Sequence, residues 1–85
     1  MRWEYLRVLI HTASTGPHWA PLRVDVIGDD GQMIEWKKQQ GEKSHTPVVS
    51  RLLKKLGDDG WELAGTVPTP DNFPDILYFK RPKAS

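Results

Sequence analysis

The chain has no cysteine among its 85 residues. That excludes a disulfide staple, a thiolate metal site and a cysteine nucleophile. It has little surplus charge: the formal net charge is +1. A dedicated nucleic-acid binder, or a trap for acidic substrates, would carry a stronger imbalance. No apolar run approaches membrane-spanning length, and the N-terminus does not resemble a signal peptide. A cytoplasmic protein with no membrane partner is therefore expected. There is no internal repeat, no low-complexity segment and no cofactor motif, so neither a cofactor nor a metal is expected. At this length the chain is one domain, residues 1–85. Its core is small and unstapled, and such domains often gain stability by oligomerising.

What is present is organised around residues 46–63, TPVVSRLLKKLGDDGWEL. Val48, Val49, Leu52, Leu53 and Leu56 fall on one stripe at helical period. Ser50, Arg51, Lys54 and Lys55 fill the opposite face, with cations toward the C-terminal end, where the helix dipole favours them. Thr46 is expected as the N-cap, Pro47 as the first helical residue and Gly57 as the left-handed stop. A helix this short is not stable alone in water, so its stripe must pack on something.

The remainder reads as strands. In residues 2–10, Leu6, Val8 and Ile10 share one face, and Trp3, Tyr5, Arg7 and Leu9 the other. Residues 11–21 contain Gly16-Pro17 and Pro21 and are expected to be a long loop. Residues 22–27 and 32–38 form a hairpin about the turn at residues 28–31, with Leu22, Val24 and Val26 on one face and Ile34 and Trp36 aligned on the return strand. After the helix, residues 61–67 form a strand with Trp61, Leu63 and Val67 on one side. Three prolines in residues 68–74 end it, and residues 75–81 form a last strand that is apolar on both faces. The fold class is α+β in the order β-ββ-α-ββ: a mainly antiparallel sheet of four to five strands with one amphipathic helix on one face. One short helix leaves the other sheet face apolar and uncovered. A homo-oligomer, with a two-fold dimer favoured, is the expected solution. Trp3, Tyr5, Leu77 and Phe79 are the expected interface residues.

The strand beginning W-E-Y, the segment L-L-K-K-L-G-D-D-G-W-E-L and the closing L-Y-F-K-R strand together resemble the small bacterial domain-of-unknown-function family 4177. The matching pieces are residues 3–8, 52–63 and 77–81, under half of the chain, and Gly57, Gly60, Trp61, Glu62 and Leu63 are the most specific part. The resemblance implies a small α+β fold of bacterial or phage origin and no assigned reaction. Residues 11–46 depart from the family pattern as an inserted loop and hairpin, where an activity particular to this chain would lie.

Candidate chemistry is sparse. His11, His18 and His45 have no metal-ligand spacing. Ser14 or Ser50 with a histidine and Asp25 has no nucleophile-elbow context, so no catalytic residue and no enzymatic activity is expected. The two D-D-G turns, at Asp29-Asp30 and Asp58-Asp59, read as ordinary turn chemistry. Lys37, Lys38, Lys43, Arg51, Lys54 and Lys55 read as a solvated face, although with Trp36 they also permit stacking and phosphate contact. Trp19 stands in the loop, away from any core pattern. It serves either as a plug or as a partner contact. The leading expectation is a non-enzymatic, self-associating module that binds a partner protein or small ligand through Trp19, His18, His11, Trp36, Lys37 and Lys38. The alternatives are an oligomeric nucleotide or nucleic-acid binder using Arg2, Arg7, Arg23, Lys37 and Lys38, and an enzyme with its site between subunits.

Overall fold

The computed structural model describes residues 2–15, 18–67 and 75–83, with the side chains of 13–20 outside that description. Six elements follow in the expected order: β1 (Trp3–Thr15), β2 (His18–Ile27), β3 (Met33–Trp36), α1 (Thr46–Asp58), β4 (Glu62–Val67) and β5 (Asp75–Pro82). The strands form one antiparallel sheet in the order β3-β2-β1-β5-β4. The hairpin of β2 and β3 is part of this sheet, and β1 is its central strand. The α+β class, the strand count and the single helix are as expected.

The even-numbered side of β1 meets the helix. Val8, Val24 and Val26 from the sheet pack with Val48, Leu52 and Leu56 from α1 and with Phe79 from β5. Leu6, Ile10, Trp36, Val49, Trp61 and Leu77 close the edges of this cluster. Two of the expected interface residues are thereby reassigned. Phe79 is in the core and Leu77 packs against it, because β5 pairs with β1 as Leu6↔Phe79 and Val8↔Leu77. Both faces of β5 are apolar, so its own pattern does not choose a side; the register does. Leu53 also departs from the expected stripe and stays 42 % exposed.

The helix ends differ from expectation. His45 takes the N-cap position without a side-chain cap bond, and Thr46 and Pro47 lie within the first turn. At the other end the helix runs through Gly57 to Asp58, and the left-handed residue is Gly60, at φ 88°. The Gly60 N–H donates to Gly57 O (3.1 Å) and the Trp61 N–H to Leu56 O (2.9 Å). These are the two bonds of a Schellman cap. Trp61 at C″ packs against the cluster containing Leu56, which is the apolar contact that usually accompanies that cap. The two glycines therefore predict opposite effects. Gly57→Ala adds a Cβ to open space within a helix and should stabilise by roughly 0.5–1 kcal/mol. Gly60→Ala forces a Cβ into left-handed backbone and should cost about 1–2 kcal/mol. Urea midpoints moving in opposite directions check the pair.

Two strand details also shift. The expected loop at residues 11–21 is largely strand: Thr12↔Pro21, Ala13↔Ala20, Ser14↔Trp19 and Thr15↔His18 continue the β1–β2 ladder past an irregularity between His11 and Thr12. In β4 a second irregularity between Leu63 and Gly65 moves Val67 opposite Ile76, on the other face from Leu63. The proline-rich turn at residues 68–74, with Phe73, lies outside the described residues.

Candidate functional site on the helix-free sheet face

The surface left open is the odd-numbered side of β1. Register alone assembles it. Ile27 and Met33 lie on one side of Arg7, and Tyr78 on the other. Asp25 and Glu35 lie on one side of Leu9, and Ile76 and Val67 on the other. Lys80 and Glu62 extend from Tyr5, and Arg23 pairs with His11. Trp3 remains 37 % exposed, Tyr5 52 % and Met33 58 %. Leu9, Ile27, Ile76 and Tyr78 are half-buried between them. Apolar side chains thus cross all five strands. A one-sided antiparallel sheet that meets water normally carries polar residues on that side.

A polar group is set into this apolar surface. Asp25 is 2 % exposed. Arg23 Nε donates to both of its carboxylate oxygens at 3.1 Å, and His11 Nε2 lies 3.1 Å from Oδ2. Glu35 lies 4.0 Å from Arg23 Nη2. The hydrogen bond to Asp25, then the charges of Asp25 and Glu35, raise the Arg23 pKa further above its ordinary value. The carboxylate is thus desolvated but fully bonded, the condition under which a buried charge is tolerated. Its assembly was hidden in sequence because His11 reads as the start of a loop. The alternation of Arg23 and Asp25 was the available signal.

Two further contacts shape the face. Asp29, at the first D-D-G turn, accepts the Tyr5 N–H at 3.2 and 3.3 Å, replacing a ladder partner beyond the end of β2. Lys80 Nζ stands 4.5 Å from the Trp3 ring centre, a cation–π contact.

The other expected site residues lie elsewhere. Trp36 is on the helix side, with the Arg51 guanidinium 5.2 Å from its ring centre. Lys37 and Lys38 are exposed just past β3, and Lys37 O accepts from Arg51 Nη2 at 2.9 Å. Arg51 also holds Glu42 (3.1 Å), while Lys54 pairs with Asp58 and Lys55 with Asp59. The side chains of His18 and Trp19 lie outside the described residues; their backbones pair with Thr15 and Ser14 near the end of the β1–β2 hairpin. Among the described residues no group of three or more His, Asp or Glu is placed to hold a metal ion. An open depression of about 340 Å³ lined by Thr66, Val67, Asp75, Ile76 and Leu77 lies between β4 and β5. Among the described residues no helix is long and apolar enough to cross a membrane.

The bond from the Gln39 N–H, then the bond from Arg51, lower the Glu42 pKa below its ordinary value. A lowered carboxylate pKa stabilises the fold above the unfolded value, about 4.3, and that contribution is lost as pH falls through the folded value. Glu42→Gln should therefore flatten the acid limb of a stability-against-pH curve and leave its slope above pH ~5 unchanged.

Residues 3–8, 52–63 and 77–81 meet on the helix side. Arg81 pairs with Glu4, donates to Asp59 O at 2.9 Å, and lies 4.3 Å from the Trp61 ring centre. No family model, no curated protein and no solved structure matches the chain.

Proposed function

We propose that the protein is a non-enzymatic interaction module that self-associates as a two-fold dimer through the helix-free face of its sheet. One observation carries this reading: Trp3, Tyr5, Leu9, Ile27, Met33, Val67, Ile76 and Tyr78 form an apolar surface across all five strands, with no second layer of this chain over it among the described residues. Contiguous apolar surface of that kind marks an interaction site. Two copies of a sheet pack face to face about 10 Å apart, with interdigitating side chains. The fixed charges on the face support a second copy as the occupant. Arg7, Arg23 and Lys80 are balanced by Asp25, Glu35 and Glu62, so the face does not repel itself.

A phosphate-binding reading has less support. Arg23 is committed to Asp25, and Arg51, Lys54 and Lys55 are each paired with a carboxylate. Native mass spectrometry on freshly purified protein tests the proposal. A dimer without added mass is expected. A bound mass of a few hundred daltons per site would replace self-association with ligand binding as the primary role. A bare monomer at micromolar concentration would contradict the proposal.

A further inference from the structure

The pairing of β1 extends well beyond the sheet that surrounds it. Among the described residues, β5 accompanies β1 as far as Ile10↔Asp75, and β3 accompanies β2 from Val24↔Trp36. Past those points, residues 12–15 and 18–21 pair with each other and with no other described strand. They form a two-stranded arm. At about 3.4 Å per residue the 13 residues of β1 run roughly 44 Å, nearly the 48 Å long axis of the molecule.

Such an arm is marginal in water, because a lone hairpin buries too little. A solvated arm would also carry charge. This one carries none. From Val8 to Leu22 there is no Asp, Glu, Lys or Arg, where a chain with 27 % charged residues would place about four. No other stretch of the chain runs as long without one. An arm for a nucleic-acid groove would need cations for phosphate, and those are missing too. The composition is that of a segment which loses water when the protein is assembled.

The surface suited to receive it is already on the molecule. The helix-free face is apolar, and its fixed charges balance. An uncharged ribbon laid on it does not disturb that balance. A two-fold assembly supplies one arm and one face from each copy, as an isologous interface requires. We infer that the β1–β2 arm, residues 12–15 and 18–21, clasps the helix-free face of a second copy, so that each protomer contributes its arm to the interface of the other. This rests on the self-association proposed above and names the segment that completes it.

The test is a dilution series by sedimentation equilibrium on the wild type and on an Ala13→Lys/Thr15→Lys double variant, with far-UV circular dichroism to follow the fold. If the arm is buried on the partner, the added ammonium groups must be desolvated, and dimerisation should weaken about a hundredfold or more. An unchanged dimer constant would overturn the arm's role and leave dimerisation through the face standing. A wild-type monomer at every concentration would overturn both. Backbone hydrogen exchange on the wild type gives the same answer without any substitution. The arm amides should be protected in concentrated solution and lose that protection on dilution. Equal exchange at both concentrations, in a protein that does dimerise, would overturn the arm's role.

Discussion

Leu52→Ala should cost roughly 2–5 kcal/mol and lower the urea midpoint sharply. Leu52 is 1 % exposed and sits at the middle of the one helix, between Val48 and Leu56, facing the valines of β1 and β2. Among the described residues the core has seven buried hydrophobic side chains, and α1 supplies three of them. No second helix exists among the described residues to collapse into the space left behind. A domain of this size has a total stability of about 4–13 kcal/mol, so the loss is a large share of the whole. A urea titration followed by tryptophan fluorescence measures it. A cost under about 1 kcal/mol would mean that the helix does not hold the sheet in the way described. Leu53→Ala, one residue along but 42 % exposed, should cost much less.

Tyr5→Lys should leave the monomer fold nearly unchanged and weaken self-association by about a hundredfold or more. Tyr5 is 52 % exposed on the helix-free face, and the contacts that fix its position are made by its backbone, to β5 and to Asp29. Replacing its ring therefore removes little from the isolated fold. In a two-fold interface the substitution is present twice, and each ammonium group meets the partner's apolar surface. Lys80 and Arg7 are already near it on the same face, so the newcomer adds to the positive charge there. Sedimentation equilibrium reads the dimer constant, and thermal melting at low concentration reads the fold. A variant that dimerises as the wild type does would move the interface away from Tyr5.

Periodicity identified the elements well where a single face is apolar. The helix stripe and the division of β1 into a Leu6-Val8-Ile10 side and a Trp3-Tyr5-Leu9 side follow from local pattern, and apart from the exposed Leu53 both agree with the structure. Side and register were illegible where both faces are apolar. In β5, Phe79 and Leu77 went to the core and Ile76 and Tyr78 to the open face, because pairing with β1 decides it. Val67 changed sides because a single residue slips at Ala64, and the hint of a bulge in E-L-A-G-T-V is the lone Gly65. The helix stop was ambiguous for a related reason. Gly57 and Gly60 are both eligible for left-handed backbone, and the choice is made by Trp61, which reaches the core only if the turn occurs at Gly60. The arm was missed because T-A-S-T and H-W-A-P have loop composition. Their strand conformation comes from each other, across the hairpin.

The account depends most on which face of the sheet meets a second copy. Hydroxyl-radical footprinting of the wild type, concentrated and dilute, tests this directly. Trp3, Tyr5 and Met33 lie on the helix-free face, whereas Trp36 and Trp61 lie on the helix side. Self-association through the open face predicts that the first three lose reactivity as concentration rises, while Trp36 and Trp61 react equally in both samples. Protection confined to Trp36 and Trp61, or no concentration dependence at Trp3, Tyr5 and Met33, would contradict it.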